Sequence, residues 1–366
     1  MALINWCGFE SFGDVNGEST DSFPTLFTRE GLVSENFGAS DCLVRTGTSA
    51  RKGGVALEGH DSGQFILENN LTHDGSVEYV AGIAVSTNGD GYIAALGQVS
   101  TSAYNFNLAI QRSGGTYYLK HAGGTGTATT ITTWAVPTNN LSDGSSYHEY
   151  QYWEFKFVLG TSGEGGKYEV RVDGAVVATN TSAGMNDANN YFAVGNTNNS
   201  SSIGTRIDDY YILDTTGSAP YNTYLGAIHI ERLHPSGAGS STGFTPSAGS
   251  NFQNVDDTGR GDDDTSYNST SSTGDKDLFN MGDLQNVNGG SVLAVRQVTQ
   301  ARKDASEDTI NLTPVIKSGA TETDGDQRAL LTGYDYVRKD YTANPTTSSA
   351  WTESEVNSLE AGYKSS

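Results

Sequence analysis

Apolar residues recur at every second position in two neighbouring stretches of the chain, residues 152–158 and 168–172. The first stretch carries Trp153, Phe155 and Phe157 at alternate positions, with charged residues between them. A period of two is the pattern of a strand with one face in a core. The two stretches therefore predict two strands of one antiparallel sheet, with the three aromatic side chains in the core.

An Asp-Gly pair follows the second stretch at positions 173 and 174, and a third apolar run occupies residues 175–178. Asp-Gly accepts the positive φ angles of a two-residue hairpin turn. The region from 152 to 178 is therefore predicted to be a three-strand meander.

Shorter stretches of similar character, separated by Gly, Asp and Ser, predict further strands. They are residues 3–12, 55–58, 64–67, 77–85, 91–96, 106–111, 117–120, 191–195 and 205–213. About a dozen short strands at this spacing indicate an all-β sandwich.

A cluster of Gly, Ser, Ala and Pro between residues 217 and 224 predicts a domain boundary, dividing the chain into residues 1–220 and 221–366. After a predicted strand at 226–233, the segment 234–275 is rich in loop-forming residues. Strand patterns return later, at residues 292–299, 309–318, 329–331 and 334–339. Thr352 and Glu355 then form the capping-box pattern of a helix start. We expect a second, smaller β domain with a short C-terminal helix.

Composition and charge narrow the classes of function. The 366 residues include 45 Gly and 19 Tyr, and the formal net charge is −22. So acidic a chain lacks the clustered Lys and Arg that bind phosphates, which argues against nucleic acid and anionic membranes as partners. No apolar stretch is long enough for a membrane-spanning helix, so we expect no membrane insertion. The first residues have neither a basic start nor a long apolar run, and synthesis in the host cytoplasm without a signal peptide is expected.

Several sequence motifs resemble known families. GFE near the start, WEFKF and YEVRVDGAVV in the middle, and IDDYYILD later resemble the concanavalin A-like (laminin-G-like) jelly-roll sandwich. The succession LDTTG, HIERLHPSG, NVDDTGRGDDDTSYN, ARKD and NPTTSSAWTESEVNSLEAGYK is similar to a group of tailed-bacteriophage virion proteins that carry this sandwich before a compact β region. The resemblance implies a structural component of the phage particle, associated with the tail or a fibre; a capsid decoration (cement) protein is the alternative.

The sequence contains no clear set of residues at the spacing of a known catalytic site. Glycoside hydrolases of the concanavalin A-like fold place two carboxylates on one strand in an E-x-D-x-x-E pattern. The nearest match begins at Glu322, ends in Gln327 instead of Glu, and is predicted to lie in a turn. The six His are scattered, without metal-ligand spacing. We therefore expect no catalytic residues and no enzymatic activity, with a glycan-cleaving enzyme as the alternative from another class.

Acidic pairs are the candidates for a cation site. Asp208 and Asp209 at the start of a strand, and Asp262 and Asp264 in an acidic run, carry oxygens of the kind that bind calcium. The structural alternative is that one of Asp208 and Asp209 caps a loop or pairs with Arg206 while the other is solvated, and that the acidic run is a solvated loop. No cofactor is predicted beyond this calcium alternative.

Aromatic residues between positions 104 and 134 are the candidates for glycan or partner contact. Tyr104, Tyr117, Tyr118 and Trp134 are close enough in sequence to share one region of a sheet. Aromatic faces stack on sugars and form good protein contacts, and core packing is the structural alternative. The expected partners are other virion proteins, further copies of this chain in a homo-oligomer such as a trimer, and a host-surface glycan.

Overall fold

The computed structural model of the chain describes residues 3–10, 32, 34–36, 42–59, 64–68, 71–72, 75–99, 104–122, 128–160, 165–185, 191–195, 203–259, 261–287, 289–306 and 309–366. The chain divides into two compact units, Met1–Ile230 and Glu231–Ser366. The segment from 221 to 230 thus belongs to the first unit, ten residues beyond the boundary drawn from the sequence.

The described part of the first unit contains fifteen strands. They are β1 Leu3–Cys7, β2 Ser34–Asn36, β3 Cys42–Gly47, β4 Gly53–Gly59, β5 Gln64–Glu68, β6 Glu78–Thr87, β7 Gly91–Val99, β8 Tyr104–Ser113, β9 Thr116–His121, β10 Thr129–Ala135, β11 Gln151–Val158, β12 Lys167–Val172, β13 Ala175–Asn180, β14 Phe192–Gly195 and β15 Thr205–Asp214. An eight-stranded antiparallel sheet has the order β13-β12-β11-β6-β15-β4-β3, with β1 also paired to β15. A seven-stranded sheet has the order β10-β9-β8-β7-β14-β5-β2.

The core of the first unit lies between these two sheets. Trp153 and Phe157 are fully buried and Phe155 is 3% exposed, so the predicted core role of the three aromatic residues is confirmed. Trp153 packs edge-on against Tyr117 of the other sheet, with ring centroids 5.2 Å apart, and Phe155 packs similarly against Phe192 at 5.5 Å. The two sheets are thus held face to face by aromatic contacts.

The strand pairing confirms the predicted three-strand meander. Strand β11 pairs with β12 so that Trp153 lies opposite Val172 and Phe157 opposite Tyr168. The turn between β12 and β13 has φ angles of 49° at Asp173 and 81° at Gly174. Both angles lie in the left-handed region, as the Asp-Gly pair predicts.

The predicted strand at 226–233 is wrong. Residues 224–230, here called the strap, are non-helical backbone without strand pairing. The Ile230 side chain packs next to the end of β1: a Cβ added at Gly8 would lie 2.8 Å from it. Hydrogen bonds from strap amides go to side chains of the eight-stranded sheet, as described below.

The second unit is also built of strands. They are β16 Pro235–Thr242, β17 Thr245–Pro246, β18 Asn268–Ser269, β19 Lys276–Met281, β20 Val295–Ala301, β21 Asn311–Ser318, β22 Thr321–Asp324, β23 Arg328–Ala329, β24 Asp335–Tyr341 and β25 Glu360–Ser365. Six of them form a sheet of order β16-β19-β25-β21-β22, with β23 on β21, while β20 pairs with β24 and β17 with β18. A 3₁₀ helix, Asn251–Asn254, and one α-helix, α1 Glu353–Asn357, complete the described elements. The predicted fold class, a concanavalin A-like β-sandwich followed by a smaller β region with a short C-terminal helix, is confirmed.

Helix α1 begins as its sequence predicts. Thr352 accepts a hydrogen bond on Oγ1 from the Glu355 amide at 3.2 Å, and Glu355 accepts one from the Thr352 amide at 2.8 Å. This is a capping box. The helix ends at Asn357, and the chain from Glu360 onward joins the sheet as β25.

Two other predictions for the second unit are wrong. The Gly- and Ser-rich start of the segment 234–275, expected to be loop, forms strand β16 at the edge of the sheet. Its small residues allow close approach: a Cβ on Gly239 would lie 2.5 Å from the carbonyl oxygen of Leu278. Glu322, expected in a turn, lies in β22.

Candidate functional site

A buried ion-pair network joins three neighbouring strands of the first unit. Glu58 of β4 is fully buried, and both of its carboxylate oxygens accept hydrogen bonds from Arg45 of β3, at 2.5 and 2.9 Å. Arg206, directly opposite Glu58 on β15, donates to the same carboxylate at 2.5 Å. Two guanidinium groups on one carboxylate leave an excess positive charge, which a second carboxylate must balance inside the protein.

Asp143 supplies that second carboxylate from the loop between β10 and β11. It accepts a hydrogen bond from Arg206 Nη1 at 2.6 Å and one from Ser49 Oγ at 2.8 Å. Ser145 donates to its other oxygen. Although burial opposes its ionisation, the hydrogen bonds from Ser145, Arg206 and Ser49 hold the pKa of Asp143 far below its usual range.

The same contacts tie the β3–β4 turn to the β10–β11 loop. Tyr150 of the loop donates its hydroxyl to the carbonyl of Ser49 in the turn at 3.0 Å. The Arg206 guanidinium lies 3.8 Å from the ring centroid of Tyr147, a cation–π contact. Loop and turn are thus fastened to each other and to the strands beneath them.

A cleft of about 560 Å³ lies between the turn and the loop. The cleft is largely open to solvent. The cleft is lined by Gly47, Thr48, Ala50, Arg51, Lys52, Gly53, Leu141, Ser142 and Tyr150. Its lining contains two basic residues and no acidic one, on a chain with 43 acidic and 21 basic residues.

Asp208 and Asp209, the first pair of cation candidates, lie in a bulge of β15. Their exposed fractions are 2% and 0%, so the expectation that one of them is solvated is wrong; of the two alternatives for the other, capping a loop or pairing with Arg206, the ion pair with Arg206 is not formed. Adjacent strand residues normally face opposite sides, but Asp209 has a φ of 50° and the register with β6 shifts at this point. Both carboxylates are buried at this bulge.

Protein donors satisfy both of these carboxylates. Asp208 accepts backbone hydrogen bonds from Arg51 at 2.9 Å and from Asp209 at 2.8 Å. Asp209 pairs with the Arg51 guanidinium at 2.7 Å and accepts from the Ile230 amide at 2.8 Å. Burial and the neighbouring Asp209 charge raise the pKa of Asp208. The pair thus binds the strap and the β3–β4 turn to the sheet.

Glu154 is a buried carboxylate that the sequence did not single out. It is 1% exposed, and its Oε1 accepts hydrogen bonds from the Tyr211 hydroxyl at 2.6 Å and the Gly226 amide at 2.9 Å. Tyr211 reaches it across Gly82 of β6, where a Cβ would lie 2.2 Å from the ring. Glu154 alternates with aromatic residues, a pattern that predicts a side chain on the solvent face of the strand. The strap that covers it lies 72 residues away in sequence, so its burial could not be predicted from the local pattern.

Asp262 and Asp264, the second pair of cation candidates, lie in an exposed loop of the second unit. Asp264 pairs with Arg302 at 3.0 Å and accepts a hydrogen bond from the Tyr334 hydroxyl at 2.9 Å. Asp262 accepts hydrogen bonds from Ser266. Across the described part of the chain, no group of three or more His, Cys, Asp or Glu side chains is placed to hold a metal ion.

The aromatic candidates divide between the two faces of the seven-stranded sheet. Tyr117 is 1% exposed, so its ring belongs to the core, as the structural alternative held. Trp134 is half-buried beside it and donates its indole N–H to Gln151 at 3.3 Å. Tyr118 is half-buried, with the Lys120 ammonium 5.5 Å from its ring centroid. Tyr104 begins β8, and its side chain lies outside the described part.

The carboxylates nearest to the hydrolase pattern are paired across the sheet of the second unit. Glu322 forms an ion pair with Lys276 at 2.5 Å, and Asp324 forms one with Lys364 at 2.5 Å. Both pairs join β22 to other strands at an exposed surface. No helix in the described ranges is both long and apolar enough to cross a membrane.

Comparison with known proteins yields distant structural similarity. No protein-family model and no curated protein matches the chain. Domain 4 of an extracellular arabinanase from Geobacillus stearothermophilus, in complex with arabinotriose, is 14% identical, with a TM-score of 0.34 over 58% of this chain and 92% of that one. The receptor-binding domain of botulinum neurotoxin type G is 8% identical, with a TM-score of 0.32 over 83% and 92%. An alginate lyase is 9% identical, with a TM-score of 0.29 over 57% and 95%. Similarity this low says nothing about what the present chain binds.

Proposed function

We propose that this protein is a non-enzymatic structural protein of a tailed-bacteriophage particle, exposed on the tail or a fibre, where it contacts other virion proteins and a glycan of the host surface. The virion part of the proposal is supported by the succession of motifs from LDTTG to the C-terminal NPTTSSAWTESEVNSLEAGYK. We further propose that it assembles as a homo-oligomer, such as a trimer.

One observation carries the non-enzymatic part. The buried carboxylates of the described sandwich are engaged in holding its parts together: Glu58 and Asp143 by arginines, Asp209 by Arg51, and Glu154 by Tyr211 and the strap. An acid–base pair for glycan cleavage needs two carboxyl groups facing a shared cleft, with room for the scissile bond. The cleft between the β3–β4 turn and the β10–β11 loop offers cations, hydroxyls and an aromatic ring instead.

The virion assignment is tested by particle composition. Antibody raised against the purified protein should detect it in density-gradient-purified particles of the phage that carries the gene, and immunogold labelling should place it on the tail or a fibre. Protein found only in the soluble part of the lysate, with particles free of it, contradicts the assignment. Native mass spectrometry of the purified chain measures its oligomeric state, and a monomer both in solution and on particles contradicts the oligomer.

A further inference from the structure

The lining of the cleft has a charge opposite to that of the chain. Two basic residues, Arg51 and Lys52, line it without an acidic neighbour in the lining. Among the described residues these two are the charged members of the lining, and a local positive charge on a chain of net charge −22 attracts anions.

The two cations have different roles. The Arg51 guanidinium bonds to the Asp209 carboxylate and the Ile228 carbonyl and lies 5.0 Å from the ring centroid of Tyr152. It is therefore committed to the protein. Lys52 is exposed and makes no ion pair or hydrogen bond with the described residues, so its ammonium is available to a ligand.

Lys52 is also held in an unusual backbone conformation. Its φ is 56°, in the left-handed region, which side chains with a Cβ rarely adopt. Such conformations are costly and persist where the surrounding structure fixes them. The preceding residue, Arg51, is held by hydrogen bonds from its backbone amide to Asp208 and from its guanidinium to Asp209, so the backbone from which the Lys52 side chain extends is fixed.

The rest of the lining suits a sugar. Leu141 and the Tyr150 side chain provide apolar surface, and Thr48 and Ser142 provide hydroxyl groups. An aromatic or apolar wall with a few placed polar groups is the usual composition of a small-molecule site. The bonds of Ser49 to Asp143 and to Tyr150 fix the two walls before any ligand arrives, which lowers the entropic cost of binding.

We propose that this cleft binds a carboxylate-bearing sugar residue of an acidic polysaccharide, with the Lys52 ammonium pairing with the sugar carboxylate and Tyr150, Thr48 and Ser142 contacting the sugar ring and its hydroxyls. This inference deepens the proposed function, on whose glycan contact it rests. A single exposed ion pair contributes little, so one copy binds weakly and several copies on one particle gain through avidity.

Isothermal titration of the full chain with tetragalacturonate, and with uncharged maltotetraose as the neutral counterpart, tests the inference. We expect saturable binding of tetragalacturonate that weakens as NaCl is added. Maltotetraose should bind at least about fivefold more weakly than tetragalacturonate. Lys52→Gln should weaken tetragalacturonate binding about fivefold, while Lys52→Arg should retain it. The matched control is Lys167→Gln, which removes another exposed lysine, one paired with Glu78, and should change binding less than twofold.

The inference is overturned by no binding of tetragalacturonate, by equal binding by wild type and Lys52→Gln, or by equal losses in the Lys52→Gln and Lys167→Gln variants. A competition experiment with inorganic phosphate tests whether the cleft recognises negative charge alone. Displacement of tetragalacturonate by phosphate at equimolar concentration would mean that the cleft recognises charge alone, which also contradicts a sugar site. Lys52→Gln protein should still enter particles, so failure of the sugar site and failure of the virion assignment are separate results.

Discussion

Glu58 is the residue on which the buried charge balance of the sandwich depends. It is fully buried and holds Arg45 and Arg206, on the strands to either side of its own. Glu58→Gln removes the carboxylate charge that Arg45 and Arg206 share, and of the two only Arg206 is also paired with Asp143. Loss of one member of a buried pair typically costs about 3–5 kcal/mol. We expect the free energy of unfolding, measured by urea denaturation, to fall by about that amount.

Glu78→Gln is the matched control for Glu58→Gln. Glu78 pairs with Lys156 and Lys167 on the surface, and exposed pairs contribute about 0–1 kcal/mol. If the two variants lose equal stability, or if Glu58→Gln costs less than about 1 kcal/mol, the buried network is not a main support of the fold.

Asp143 links the stability of the same network to pH. Its pKa is lower in the folded chain than the ordinary value of 3.8, so the unfolded chain binds more protons over the interval between the two values. Stability from this group is therefore fully present above pH 3.8 and is lost as pH falls toward the folded pKa. We expect Asp143→Asn to lower the melting temperature at pH 7 and to flatten its decline below pH 4.

Asp304→Asn serves as the control for the pH experiment, because its side chain is 91% exposed in the ion pair with Arg302. Its melting temperature should follow the wild-type pH profile. An Asp143→Asn profile that remains parallel to the wild-type profile through the acid range would show that Asp143 does not carry this pH dependence.

The strap is the element whose role differs most from its sequence pattern. Its amides bond to buried carboxylates of the sheet: Gly226 to Glu154 and Ile230 to Asp209. A fragment of residues 1–220, ending at the boundary drawn from sequence, removes one hydrogen-bond donor from each of these buried carboxylates, at about 1–3 kcal/mol each. We expect fragment 1–230 to be more stable than fragment 1–220 by several kcal/mol in urea denaturation. Equal stability of the two fragments would contradict a structural role for the strap.

Sequence reasoning located elements where a hydrophobic period was present and missed those without one. The meander around Trp153 was found with its turn, because alternation and Asp-Gly are local signals. Strand β16, PSGAGSST, has the composition of a loop and is a strand because its small residues fit against β19. The cleft and its network were missed, because Glu58 and Arg206 are 148 residues apart and only the pairing of β4 with β15 brings them together.

At the scale of the whole molecule, the two compact units have separate cores. The main cluster of the first unit lies entirely between Cys7 and Ile212, and the two clusters of the second unit lie within Leu233–Tyr363. Units with their own cores are able to fold alone. We expect fragments 1–230 and 231–366 each to give a cooperative thermal transition by circular dichroism. A fragment that stays unfolded alone and folds on addition of the other would contradict this independence.

The central claim is that the protein holds surfaces together and does not turn over a substrate. The most direct measurement is incubation of the purified full chain with host envelope polysaccharide, followed by quantification of new reducing ends and of unsaturated or deacylated products over time. The expected result is no product above the level of a heat-denatured sample. Steady product formation that a single carboxylate substitution abolishes, while circular dichroism shows an intact fold, would contradict the account.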